Sequence, residues 1–524
     1  MTIALIASSA YVSQGLEAEF GRLPPSFLPL GSQRLFIRQI EDMSALASHV
    51  YLSLPDDFEI PPIDVERIER LGATIIRSDP MFSIGESIAN CINAIGEYQQ
   101  PLLILYGDTL VTGIELEDNF YSAHLASDAQ NWAPAPIGGQ PAEKQEGGRF
   151  VVSGLFSLNN VPALLQAIAL SRGNFISALE RYAEKTPLSM VTDGNWYDFG
   201  HVQTYFASCG LITTERSFNS LRITPTAVDK TSADLAKLDG EASWFESLPD
   251  SMRIYVPAYL GRIRENGEFG YRTANTYLTT LANLAVYGRL NRHVWQRIFR
   301  ACQTFLNDSR AIRPPIDLGV NFSNYYGAKT EKRLADFSKQ SGFDITTGFS
   351  YGGQSMPSPL EMSRRADKII DTHGTPEASL LHGDFGFSNI FYDFRSQSVK
   401  VIDPRGLLPN GSKSIYGDPR YDVAKLAHSV IGGYDLIISG YISGRLDGRN
   451  VDLNMTEFNN GNWPTLIAAF REAGILNAPF DERLVSAILV HLFLSMIPLH
   501  ADRPDRQVCF LGNAARLFQQ MESL

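Results

Sequence analysis

Residues 380–393 read LLHGDFGFSNIFYD, and KVIDPRG follows at 400–406. Asp384 stands two positions after a histidine, Asn389 comes five after Asp384, and Asp403 ends the next apolar run. A carboxylate in a tight loop suits the orientation and deprotonation of an attacking hydroxyl. An amide and a second carboxylate suit Mg²⁺ held against nucleotide phosphates. Asp384 takes the first role; Asn389 and Asp403 take the second. Upstream, VDKTS puts Lys230 on a strand, and Glu241 lies on the helix after it. As an ion pair they hold the lysine against the α- and β-phosphates of a nucleotide. Ser220, next to Asn219, lies where a phosphate-covering loop belongs, although no GxGxxG occurs there. GDPRYDVAKLAHS supplies Asp418 and Asp422 as braces. A lone HGD is commonplace, as is a lone lysine; the ordered set is not.

A second pair of carboxylates comes earlier. PLLILYGDTLV, residues 101–111, runs from an apolar strand to Asp108, and GNWYDFGHVQTYFAS, residues 194–208, contains Asp198. Two phosphates brought together for attack repel each other, so a divalent ion must screen them and hold them in line. Asp108 and Asp198, each following an apolar or aromatic strand, are candidates to meet on one such ion.

The rest of the chain must position these groups. Its 524 residues allow two to four domains, and 44% hydrophobic with 19% charged residues is ordinary globular composition. A net charge of −12 argues against wrapping nucleic acid, which needs a clustered basic surface. Cys91, Cys209, Cys302 and Cys509 form no CxxC pair and read as reduced thiols. MTIALIASSAY reads as a buried strand rather than a leader. LVSAILVHLFLSMIPL, residues 484–499, is shorter than the ~20 residues of a membrane span and reads as a core helix. The expectation is a cytoplasmic protein without a membrane span, its oligomeric state open.

IALIAS, HVYLSL, ATIIRS, PLLILYGD and RFVVSGLFSL read as strands. SQRLFIRQIEDMSALA, GESIANCINAIGEY and NVPALLQAIALS read as helices between them, an open α/β sheet interrupted by a loop at 133–148. After Gly210 come two strands within 217–232, the helical ADLAKLDGEASWFESL, and a largely helical remainder. SYGGQSMPSP, residues 350–359, reads as a mobile loop. A boundary near 212–217 divides the chain into domains 1–213 and 214–524, the latter with an N-lobe at about 214–275 and a C-lobe at about 276–524.

With these motifs in view, residues 214–524 resemble the aminoglycoside phosphotransferase and choline kinase family. The resemblance implies an α+β protein-kinase-like fold, ATP and Mg²⁺ as cofactors, and a small hydroxylated acceptor. DPRG in place of DFG, with no APE-like segment after it, points away from protein kinases. Residues 1–213 resemble sugar-1-phosphate nucleotidyltransferases and related cytidylyltransferases, through LPPSFLPLGSQRLFIRQI (23–40), PLLILYGDTLV, RFVVSGLFSL and GNWYDFGHVQTYFAS. That resemblance implies a GT-A-type α/β sheet and a second nucleoside triphosphate such as CTP or UTP. It makes Asp108 and Asp198 metal ligands and sets Lys144 on a substrate phosphate. Two departures stand out: Pro25 occupies the position of the signature lysine, and ASSAYVSQGLEAEFGR (7–22) replaces the glycine-rich loop. The backbone amides of Ser8, Ser9 and Ala10 then fall to receiving phosphate oxygens, and Arg22 to supplying the missing charge.

Together the resemblances imply a bifunctional enzyme that phosphorylates a small polar molecule and condenses the product with a nucleoside triphosphate. The product is an activated sugar, polyol or choline-like alcohol for surface polysaccharide. Three alternatives stay open: a kinase with an inactive first domain, a non-catalytic assembly module, and a glycosyltransferase-like first domain. Pyrophosphate release separates the first domain's options.

Overall fold

The structure, a computed structural model, describes residues 2–115, 118–126, 130, 132–137, 148–212, 219–265, 268–316, 326–408, 410–477 and 479–524. Lys144 lies outside the described residues. The chain divides into two compact units, Met1–Ile212 with Tyr287–Arg289, and Thr213–Val286 with Leu290–Leu524.

In the first unit, short runs of Ile, Leu and Val build a seven-stranded sheet. Its order is Ser189–Val191, Phe120–Ala126, Arg149–Leu158, Leu102–Tyr106, Ile3–Ala7, His49–Pro55, Ala73–Ser78. The last four strands run parallel, while Arg149–Leu158 is antiparallel to both its neighbours. Strands covered by helices on both faces have no wet side, which is why Ala4, Leu5 and Ile6 are all fully buried. Helix Ile84–Ile95 begins at a capping box of Ser83 and Glu86, ends at left-handed Gly96, and packs Ile88, Cys91 and Ile92 into the core. This is the open α/β sheet expected. Several elements escaped the sequence reading: strands Thr109–Thr112 and Phe120–Ala126, and helices Pro62–Arg70 and Phe175–Ala183. Thr109–Thr112 pairs antiparallel with Asn195–Asp198, outside the main sheet.

The second unit opens with a four-stranded antiparallel sheet in the order Asn219–Ile223, Ala227–Ser232, Glu268–Ala274, Tyr259–Glu265. Helix Leu235–Ser247, capped by Asp234, buries Leu238, Glu241, Trp244 and Phe245. A helical remainder follows, as expected of an α+β kinase-like unit. Residues 350–359 are a correction: Phe349–Tyr351 and Gln354–Met356 form a hairpin rather than a mobile loop. Gly352 and Gly353, both at positive φ, make its two-residue turn, and Phe349–Tyr351 also pairs with Asn450–Asn454. Glu482–His500 is long and apolar enough to cross a membrane, longer than the 484–499 read from the sequence; its apolar window is 72% buried. Trp295, Tyr326 and Phe349, three of the unit's aromatics, are buried.

Candidate active sites

In the second unit, strand Ala227–Ser232 and helix Leu235–Ser247 bring Lys230 and Glu241 together, with Nζ 2.7 Å from Oε2. Tyr271 of the neighbouring strand donates its hydroxyl to the same Glu241 oxygen at 2.8 Å. Lys230 also lies 3.0 Å from Asp403 Oδ1. Burial opposes the lysine's charge, but Asp403 and Glu241 together raise its pKa above the ordinary value. The cation is therefore fixed and protonated. Asp403 is a non-glycine residue at φ 58, held in the left-handed region by its surroundings, as strained residues of functional loops often are. For Ser220 the structure supplies a strand position opposite Thr231.

Asp384 is positioned by its own loop. Asn389 Nδ2 donates to its carbonyl and to its Oδ2, both at 2.9 Å. The amides of His382 and Gly383 donate to buried Asp422, at 2.7 and 2.8 Å. His382 accepts the Asp384 amide on Nδ1 and donates from Nε2 to the Ile402 carbonyl, so its ring is neutral with the proton on Nε2. Burial depresses its pKa to about 4. Gly383, at φ +81, has Arg405 so close that a β-carbon would lie 2.6 Å from Arg405 Cβ. Asp418 caps the helix Pro419–Val430 and binds Arg420. That helix also supplies a residue the motif reading missed: Lys425 Nζ lies 2.7 Å from Asp384 Oδ1. Burial raises the pKa of Asp384, but Lys425 outweighs it and holds the carboxylate well below its usual range. The only sequence signal was a lysine three residues after Asp422, one turn along the bracing helix.

In the first unit, the pairing of Asn195–Asp198 with Thr109–Thr112 sets Asp198 opposite Thr109, beside Asp108. A β-carbon on Gly200 would fall 2.5 Å from Asp108 Oδ2 and 3.3 Å from Asp198 Oδ1, so the two carboxylates flank one point. Burial, reinforced by the charge of Asp198, raises the pKa of Asp108 to about 6. Asp198 accepts from the Gly200 amide, His201 and Thr204, and its hydrogen bond raises the His201 pKa. The turn carrying Asp108 is tied down by buried Gln39, whose Nε2 donates to the Gly107 and Thr109 carbonyls at 3.0 Å each. Gln39 is a second residue the motifs did not reveal. Among the described residues no group of three or more His, Cys, Asp or Glu side chains forms a metal cage. Carboxylate pairs suit Mg²⁺, which completes its shell with water and phosphate oxygens.

Of the expected phosphate-holding groups of this unit, the structure corrects the Ser8 amide. The Ser8 amide donates to the Ser53 hydroxyl at 2.9 Å, so it is not offered to a phosphate. Ser9 is buried, its hydroxyl bonded within the Ser53 and Ser87 chain, while Ala10 is exposed. Arg22, half-exposed, pairs with Asp57 at 3.0 Å and lies 3.7 Å over the Tyr11 ring.

No protein-family model matches this chain, and no curated protein matches it. Among solved structures, the inositol-1-phosphate CTP transferase of T. maritima matches at 10% identity and TM-score 0.30, covering 39% of this chain and 90% of its own. HddC from Yersinia pseudotuberculosis matches at 13% identity and TM-score 0.29, over 40% and 99%. A thermostable mutant of aminoglycoside phosphotransferase APH(4)-Ia matches at 11% identity and TM-score 0.38, over 59% and 92%. Nucleotidyltransferases match the N-terminal part and aminoglycoside phosphotransferases the C-terminal part.

Proposed function

We propose that the chain is a bifunctional transferase, an ATP-dependent small-molecule kinase joined to a nucleotidyltransferase. The observation that carries this reading is the pair of separate anion-handling sites. One sets Lys230 against Glu241 and Asp403, and Asn389 against Asp384, in the same unit; the other sets Asp108 and Asp198 about one point. In the kinase site, Lys230 holds the nucleotide's phosphates, and Asp384 orients the acceptor hydroxyl and takes its proton. Asn389 and Asp403 would hold Mg²⁺ there, and Asp108 and Asp198 in the first unit. The ion supplies charge screening of the phosphates. A pair of facing carboxylates, one with a raised pKa, fits such a cation.

The phosphorylated acceptor then serves as the nucleophile toward a second nucleoside triphosphate, such as CTP or UTP, with release of pyrophosphate. The product is an activated donor of the kind used for surface polysaccharide. Tethering both units on one chain raises the effective concentration of the intermediate. With the Ser8 amide engaged by Ser53, the second nucleotide's phosphates rely on other groups. The test is a screen of hydroxylated metabolites with ATP and then with each common nucleoside triphosphate, reading ADP and pyrophosphate separately. Acceptor-dependent ADP without pyrophosphate under any condition would reduce the first unit to a binding module.

A further inference from the structure

The helix that carries Glu241 touches the loop that carries Asp403 through glycine backbone. Helix Leu235–Ser247 contains Gly240, the residue before Glu241, and the loop after Asp403 contains Gly406. A β-carbon on Gly406 would lie 2.0 Å from the Gly240 carbonyl oxygen and 2.4 Å from its carbonyl carbon. A β-carbon on Gly240 would lie 2.6 Å from Leu407 Cγ, 2.9 Å from Leu407 Cδ2 and 3.2 Å from the Arg405 carbonyl oxygen. Two backbones approach this closely only where neither carries a side chain. Gly406 also stands at φ +64, in the left-handed region that glycine favours.

Other bonds hold both sides of the contact in place. One turn beyond Gly240, buried Trp244 donates its indole N–H to the Leu381 carbonyl at 2.8 Å, and its ring meets His382 edge-on. On the loop, the Arg405 amide donates to the His382 carbonyl at 2.8 Å and the Ser414 amide to the Gly406 carbonyl at 3.1 Å. Lys413, bridged to Leu407 across the loop's turn, pairs at 2.5 Å with Asp239 of the same helix. To retreat from the helix, the loop must break its bond to His382.

The consequence reaches the charged groups directly. Glu241 is the residue after Gly240, Asp403 is three before Gly406, and Lys230 joins the two carboxylates at 2.7 and 3.0 Å. A shift of about an ångström at the glycine contact takes either ion pair out of hydrogen-bond range. Misplacement of that size costs about 10²-fold in rate. In kinases the lysine–glutamate pair and the metal-binding aspartate must be in place together.

Resting on the kinase reading above, we propose that Gly240 and Gly406 are positioning residues of the kinase site. Their backbone contact makes helix Leu235–Ser247 and the Asp403 loop move as one body, so that Lys230 meets both carboxylates at once. Each glycine acts through Glu241 and Asp403 rather than on the nucleotide.

The test uses the full chain and two readouts, with the melting temperature recorded for every variant. The first is titration with a non-hydrolysable ATP analogue and Mg²⁺, in which the binding event weakened by Lys230→Met marks the kinase site. The second is acceptor-dependent ADP formation. Gly240→Ala should weaken that binding event by about 10-fold or more, as loss of a charge-assisted phosphate contact does. It should lower kcat by about 10²-fold and leave the KM for the acceptor unchanged. Because the new β-carbon strikes Leu407 Cγ and Cδ2, truncating that side chain makes room for it. In a Leu407→Ala background, Gly240→Ala should therefore cost no more than about 3-fold. Gly406→Ala strikes backbone and should resist the same rescue. Gly411 is the control for backbone strain: it stands at φ +84 in the same loop, with no described atom within 4 Å of a β-carbon. Gly411→Ala should stay within about 3-fold of wild type. Wild-type binding and turnover in Gly240→Ala, a loss just as large in the Leu407→Ala background, or a Gly411→Ala defect equal to that of Gly406→Ala would overturn the proposal. The kinase reading fails separately, if Asp384→Asn leaves ADP formation intact.

Discussion

At the scale of the residue, the two acidic loops owe their chemistry to partners that stand far off in sequence. Lys425, 2.7 Å from Asp384 Oδ1, outweighs the burial that would raise the aspartate's pKa and holds it ionised. Lys425→Met should therefore move the acid limb of acceptor-dependent ADP release to higher pH and lower kcat by about 10-fold or more. An unchanged pH profile would show that the lysine does not act through Asp384. His382 gives a stability prediction of definite sign. Its folded pKa is about 4 against 6.5 unperturbed. Between those values the unfolded chain takes up a proton that the folded chain refuses, so stability present above about pH 6.5 is lost as pH falls toward 4. From about pH 7 to about pH 5 the loss is about 2 kcal/mol. Urea midpoints at the two pH values should fall less steeply for His382→Gln than for wild type; equal slopes would refute the assignment. The motif residues themselves were legible because HGDxxxxN and its aspartate lie within twenty-odd positions of one another. Lys425 was not, because its contact with Asp384 is made across a helix that the sequence presents only as a brace.

Elements decide whether separated groups meet. Asp108 and Asp198 meet because Asn195–Asp198 crosses Thr109–Thr112, a two-strand ladder too short to announce itself by alternation. Gly200 is the residue that ladder cannot exchange, since a β-carbon there would press on both carboxylates. Gly200→Ala should leave the melting temperature nearly unchanged and reduce pyrophosphate release by about 10²-fold, the usual result of displacing reacting groups by an ångström. Wild-type release in that variant would place the metal site elsewhere. The long apolar strands of the main sheet could be read directly from Ile, Leu and Val runs. The hairpin at 349–356 could not: three-residue strands around Gly352-Gly353 have the composition of a loop, and the pairing with Asn450–Asn454 is made by residues about a hundred positions away. The surroundings of Arg22 were illegible for a related reason. A sequence shows an available charge but not Asp57 and Tyr11 beside it.

For the molecule as a whole, each compact unit contains its own carboxylate site, so the two chemistries should be separable by single substitutions. The most direct measurement follows ADP and pyrophosphate in parallel on full-length Asp384→Asn and Asp108→Ala, with ATP, Mg²⁺, the acceptor and its phosphorylated form supplied independently. Asp384→Asn should lower acceptor-dependent ADP formation by about 10²- to 10⁴-fold while pyrophosphate release from the supplied phosphate continues. Asp108→Ala should abolish pyrophosphate release and leave ADP formation at the wild-type rate. If either substitution stops both products, or Asp108→Ala alters neither, the chain does not house two independent transferases.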